Sequence, residues 1–398
     1  MSNTIDIFKK HQAQTFPYPS CLQIKSSKGT YITDINNKKY LDFVAGVSAC
    51  TLGHSNPIIN NAILNQINKY THVMVYGEYI QSPQYELAHL LSKQLPNNLS
   101  TTYFTNSGTE AIEGAIKLAK RSNKRPEVLS CINSYHGSTQ GSLSIMGNEN
   151  QKTNFRPLIP ECNQIHFNDI NTINKITSKT SAVVLEIIQA ATGFIETDIH
   201  FLKEVRKKCD ETGAILIFDE IQTCYGRIGS LFASTYYNIY PDILCIAKGM
   251  GAGMPIGAFI SSWDLMNNFT SSPSLGHITT FGGHPVSCAA SLACLKYLIG
   301  SDLMDSIKTK EELFRRKLKH SLIKEVRGKG LMLAIELKNE SLARELVEKS
   351  LDKGLILFYF LFTKTAIRIS PPLTISEDEI KKGCEIIISL LDKVNHKA

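Results

Sequence analysis

Through the middle of the chain, short apolar runs alternate with amphipathic stretches. Val183–Leu185, Ala214–Phe218 and Ile243–Ala247 are compact and uninterrupted, the pattern of strands buried on both faces. Between the first two, Phe201, Leu202, Val205 and Cys209 fall at helical spacing. Strand, helix, strand in that order predicts an α/β core around a mostly parallel sheet. The ends are patterned differently. Leu22–Ile24, Tyr31–Ile32 and Tyr40–Phe43, separated by Gly29 and Asn36–Asn37, predict short antiparallel strands. After residue 300 come a charged helix, a strand over 331–337 and another helix. Ser376 and Glu379 form a capping-box pattern that opens a last helix, striped by Ile380, Cys384, Ile387, Ile388 and Leu391. This organisation predicts a large α/β domain over 46–290 and a smaller α+β domain built from 1–45 with 291–398.

Composition narrows the class. With 398 residues, 43% hydrophobic and 20% charged, the chain has the make-up of an ordinary globular protein able to bury a large core. The net charge of +7 is spread thinly. Its densest cluster, Lys117, Lys120, Arg121, Lys124 and Arg125, reads as a solvated helix face, so no nucleic-acid partner is expected. The longest nearly apolar run, 354–362, is half the length a membrane span needs. The first twelve residues carry no apolar segment of the kind that directs secretion. Ten scattered cysteines, without a CxxC pair or a Cys/His cluster, predict neither a disulfide framework nor a metal site. A reduced, cytoplasmic protein is the expectation.

Four segments carry candidate chemistry. Ser107, Gly108 and Thr109 lie between an apolar strand end and a helix striped by Ile112, Ala115, Ile116 and Ala119. Ser107 can cap that helix with Glu110 completing a capping box, and its free N–H groups suit a phosphate; a plain capped helix would look the same. Asp219 closes the run 214–218, on the strand edge where open α/β sheets bind ligands. A carboxylate there could neutralise a protonated ring nitrogen, cap a helix or hold a metal. Lys248 ends another strand, before the glycine-rich Gly249–Gly253, where desolvation would make its amine a nucleophile able to form a Schiff base. The same glycines loosely echo a dinucleotide loop, but with the wrong spacing and with Pro255 where a helix should run. Tyr135, His136 and Gly137 offer a ring to stack on a planar group, or a core aromatic pair. Phosphate cradle, ring, acid and amine together match pyridoxal 5′-phosphate, which has a phosphate, an aromatic ring, a pyridine nitrogen and an aldehyde.

Those segments, with Phe43–Pro57, Phe218–Thr223, Gly226-Arg227, Thr279–Gly283 and Arg368–Thr374 in the same order, resemble the class III (ω-amino acid) aminotransferases over nearly the whole chain. That resemblance implies the aspartate-aminotransferase fold, pyridoxal phosphate, and a homodimer with active sites at the subunit interface. It implies Lys248 as the Schiff-base lysine, Asp219 on the pyridine nitrogen, Gln222 on the phenolic oxygen and Tyr135 stacked on the ring, with His136 beside it. Ser107, Gly108 and Thr109 would hold the phosphate, joined by Thr280 of the neighbouring subunit. Arg368 would bind a substrate carboxylate, with Ser138, Tyr76 and Glu186 as further substrate contacts. The implied reaction moves an amino group from an ω-amino acid, ornithine-type or amine donor to 2-oxoglutarate or pyruvate.

Three departures bear on the substrate. Ser138 stands where acetylornithine, ornithine and 4-aminobutyrate enzymes typically carry an arginine that grips the donor carboxylate, a role Arg156 could fill in space. Ala191 stands where relatives commonly have a glutamate that pairs with the carboxylate-binding arginine. Arg368 would then stay open to carboxylates or swing away from an uncharged donor. His284 replaces a usual asparagine, with no consequence assigned. Decarboxylation, racemisation or an aminomutase shift on the same scaffold, and a non-catalytic homologue, are the alternatives.

Overall fold

The computed structural model describes residues 2–395. Met1 and 396–398, which the domain expectation includes, lie outside the described residues. A seven-stranded sheet forms the centre, in the order Thr101–Thr105, Gly257–Ser261, Ile243–Ile246, Ile215–Asp219, Thr180–Glu186, Glu127–Cys131, Cys162–Ile165. Only Gly257–Ser261 runs against the others among the described strands, so the sheet is mostly parallel. Its residues alternate between two cores. Leu216, Phe218, Val183 and Leu185 face one; Ile217, Ala182, Val184 and Cys245 face the other. Uninterrupted apolar runs are what a sheet covered on both faces requires.

The helix Gly108–Asn123 packs Ala111, Ile112, Ala115 and Ile116 into the second core. Gly114 allows the close approach, because a Cβ there would overlap the Phe259 ring. Lys117 and Lys124 of the basic cluster are exposed, and some of its members find partners. Lys117 Nζ bonds His277 Nδ1 at 3.0 Å, and Arg125 donates to the Thr180 and Thr212 carbonyls at 3.1 and 2.8 Å. Strand and helix ends leave carbonyls that a neighbouring guanidinium satisfies.

Both ends of the chain build two further four-stranded sheets. Ile24–Lys28, Tyr31–Asp34 and Lys39–Asp42 form an antiparallel meander, to which Leu355–Ile356 adds in parallel. The first strand lies two residues later than its apolar start suggests, since Leu22 and Gln23 precede it. The second sheet orders Ile323–Lys329, Met332–Leu337, Ala366–Ile369 and Phe358–Tyr359. The last helix, Glu377–Asn395, opens with a complete capping box: Glu379 N donates to Ser376 Oγ at 3.2 Å and Ser376 N to Glu379 Oε2 at 2.9 Å. Among the described residues no helix is long and apolar enough to cross a membrane.

Candidate active site

Five parallel strands deliver their C-terminal ends to one edge of the central sheet. Thr101–Thr105 leads to Ser107, Glu127–Cys131 to Tyr135 and His136, Thr180–Glu186 ends at Glu186, Ile215–Asp219 at Asp219, and Ile243–Ile246 leads to Lys248. Ligands bind at this edge in open α/β sheets. A cavity of about 540 Å³ opens there, lined by Ser107, Gly108, Thr109, Tyr135, His136, Ser138, Glu186, Asp219, Gln222 and Lys248.

Lys248 Nζ donates to Gln222 Oε1 at 3.1 Å, and Gln222 Nε2 donates to Ser48 Oγ at 3.0 Å. Two backbone strains support this chain. Lys248 has φ +43°, a left-handed conformation unusual for a residue with a side chain. Ala45, Gly46, Val47 and Ser48 are left-handed in succession, with φ of 51°, 60°, 60° and 68°. Burial, and after it the Arg368 charge, lower the Lys248 pKa to about 8 against the pull of Asp219 and Glu186.

Buried beside it, Asp219 takes His136 Nδ1 on Oδ2 at 2.7 Å and the Ile221 N–H on Oδ1 at 3.0 Å. Glu186 accepts from Tyr135 N at 3.0 Å and Ala190 N at 2.9 Å, and burial raises its pKa to about 7. It therefore fixes the backbone carrying Tyr135, whose hydroxyl lies 3.2 Å from Ser138 Oγ. At the helix start Glu110 N donates to Ser107 Oγ at 3.3 Å. The expected capping box is half made, because Glu110 Oε2 accepts from Asn106 N at 2.6 Å rather than from Ser107 N. Thr109 Oγ1 shares 2.7 Å hydrogen bonds with Thr139 and Ser142. Gly137, at φ +134°, leaves them room, since a Cβ would fall on the Thr109 side chain.

Arg368 does not line this cavity, although its charge is the largest felt by Lys248. It is 5% exposed on the strand Ala366–Ile369, with Nε and Nη1 unpartnered and its guanidinium 5.3 and 4.8 Å from the ring centres of Phe194 and Phe360. Residues 13–391 match the family model described as aminotransferase class-III. The chain belongs to the class-III aminotransferases. Enzymes of this family use pyridoxal phosphate, and this aminotransferase has a donor set that fits it: a depressed-pKa amine for an aldehyde, a buried carboxylate for a ring nitrogen, and a helix N-terminus for a phosphate. The aminotransferase is 37% identical over 372 residues to the acetylornithine aminotransferase of Clostridium acetobutylicum, covering 90% of this chain and 93% of that one. Its fold superposes on the ornithine aminotransferase of Toxoplasma gondii with a TM-score of 0.92 at 26% identity, covering 100% and 96% of the two chains. An amine transaminase from an uncultivated Pseudomonas species, in its PLP-bound form, matches with a TM-score of 0.87 at 25% identity, covering 96% and 100%.

Some expected contacts are not brought to the cavity of the aminotransferase. Tyr76 stands on an irregular stretch, 36% exposed, and lines none of the cavity; nearby, Gln81 Nε2 donates to Met74 O at 2.9 Å. Thr280 is exposed and lines none of it. Arg156 lines none of the cavity, and its guanidinium pairs with Glu149 at the surface. His284 stacks on His72, ring centres 5.3 Å apart. Ser48, Phe194 and Phe360 carried no signal in their local sequence beyond the neighbouring Gly46 and Gly193.

Proposed function

We propose that this aminotransferase is a cytoplasmic homodimer that moves an amino group from an ornithine-type, ω-amino acid or amine donor to 2-oxoglutarate or pyruvate. One observation carries the assignment of its chemistry: Lys248, Gln222, Asp219 and His136 converge on one cavity at the sheet edge. Relatives named for acetylornithine and ornithine transamination, and a neighbour named an amine transaminase, support that range of donors. The smaller domain is assigned to 1–45 with 291–398 and the larger to 46–290, on the strength of one sheet that joins strands from both ends and a second built from C-terminal strands.

In this proposal Ser107, Gly108 and Thr109 would hold the cofactor phosphate, with Thr280 reaching it from the partner subunit. Tyr135 would stack on the ring, Asp219 would face the pyridine nitrogen and Gln222 the phenolic oxygen. When bound, pyridoxal phosphate supplies an aldehyde that condenses with amines and a cationic ring that draws electrons from the reacting carbon. Lys248 Nζ would hold the aldehyde and, as a neutral amine, would take up and return the proton at the reacting carbon. His136, donating to Asp219, holds that carboxylate in position. Glu186 acts through the Tyr135 backbone rather than on substrate. Arg368 binds the carboxylate of the oxo acid. Ser138 offers a hydroxyl in place of a charged clamp.

Borohydride treatment of the holoenzyme followed by peptide mapping is expected to place the reduced cofactor on Lys248. Label on another residue, or none, overturns the assignment. A panel of ornithine derivatives, diamines and ω-amino acids against both oxo acids then reads amine exchange directly; carbon dioxide release or racemisation without an oxo acid would point to another pyridoxal reaction.

A further inference from the structure

Among the described residues Arg368 has no counter-ion. Burial pushes its pKa down to about 10. Ala191, in the segment facing it, is a buried methyl group. What surrounds the guanidinium is aromatic. Phe194 and Phe360 are both buried, perpendicular to one another with ring centres 4.8 Å apart, and the Arg368 carbon lies over each. Ring faces attract a cation without neutralising it or occupying its N–H groups.

The corner is built to stay put. Phe194 is held in a left-handed conformation at φ +57°, uncommon for so bulky a residue. Arg327 pins the preceding residue, donating from Nε to Gly193 O at 2.6 Å while Nη2 meets Glu336 at 2.8 Å. Phe362 N bonds Ala191 O at 3.0 Å, which joins the segments that carry the two rings. Arg368 itself is paired across its strand with Phe358 on one side and Ala334 on the other.

We propose that Phe194 and Phe360 are positioning residues that hold Arg368 as a fixed receptor without a counter-ion, so that donor as well as acceptor must bring a carboxylate to it. This rests on Arg368 being the substrate-binding arginine. Donor and acceptor occupy one site in turn. An alkylamine without a carboxylate leaves a buried cation dehydrated and unpaired, whereas an amino acid satisfies it in both half-reactions. The fixed corner also removes the alternative of an arginine that swings aside.

The test uses the holoenzyme with 5-aminopentanoate and pentylamine as matched donors, following the cofactor band in the donor half-reaction. Wild type is expected to favour the amino acid by about a hundredfold in kcat/KM, the size of a charge-assisted interaction. Phe360→Leu is expected to raise KM for the amino acid and the oxo acid about tenfold, with kcat and the cofactor band unchanged and Phe360→Tyr restoring KM. Pentylamine used as efficiently as the amino acid by wild type overturns the proposal, and that comparison needs no variant to fold. A Phe360→Leu enzyme with unchanged KM, beside an Arg368→Lys enzyme with raised KM, overturns the aromatic corner alone. Unchanged KM in Arg368→Lys overturns the underlying assignment of Arg368.

Discussion

Lys248 is a residue whose usefulness costs the fold. It is held at positive φ, and its ammonium is desolvated beside the field of Arg368. With a folded pKa of about 8 against the ordinary lysine value of 10.5, the unfolded chain binds more protons between those values. Stability of the apoenzyme therefore rises with pH across that window, and the penalty is fully present below it. Lys248→Met removes the charge and the penalty. The apo variant is expected to be more stable than apo wild type at pH 7 by on the order of 2–3 kcal/mol, the difference closing toward pH 10. Denaturant unfolding of both apoproteins across that range measures it, and equal midpoints at pH 7 would contradict the desolvation argument. The neutral amine is the nucleophile, so the rate at which apoenzyme captures cofactor should climb with pH and level off above about 8.

The helix Gly108–Asn123 shows how an element can be structural and functional at one end. Its first residue lies against Ile221, two residues beyond Asp219, where an added Cβ would come 2.7 Å from Cδ1 and 3.0 Å from Cγ2. Gly108→Ala must push Ile221 and the turn that carries Gln222, without disturbing the helix behind it. We expect about tenfold weaker cofactor retention in equilibrium dialysis, recovered largely by adding Ile221→Val, which deletes the clashing methyl. Loss of helix content instead would mean the glycine serves the fold alone. The strand ends that position Lys248 and Asp219 were legible because a sheet covered on both faces leaves contiguous apolar runs, and a lysine or aspartate terminating one stands out. Partners contributed by distant segments were not. Ser48 reaches Gln222 from a left-handed turn across 174 residues, and the corner around Arg368 joins three separate segments. The position of Tyr76 was not legible either: a bond from Gln81 to a backbone carbonyl ties its loop, which no periodicity records.

Large apolar side chains stand exposed on two neighbouring loops of the enzyme. Ile80 is 93% exposed, Tyr79 58% and Phe281 53%, on two loops tied together by the His72–Phe281 ring contact at 4.9 Å and the bond from Gln84 to Gly283 O at 2.8 Å. The proposed homodimer would cover these loops, and Thr280 sits on the same loop as Phe281, exposed and outside its own cavity. If Thr280 serves the partner's site, two inactive variants should rescue each other. Lys248→Ala lacks the amine in both sites of its homodimer, and Thr280→Asp repels phosphate in both of its own. In the mixed dimer, the site that keeps Lys248 receives an intact Thr280 from the other subunit, while the second site lacks both. Random reassortment of equal amounts makes half the dimers mixed, so activity is expected to return to about a quarter of wild type. Were Thr280 to act within its own subunit, no site in the mixed dimer would hold both residues and activity would stay at background. Separating reassorted dimers by a tag on one variant, and assaying the mixed fraction alone, assigns the recovered activity to shared sites rather than to residual activity of either parent.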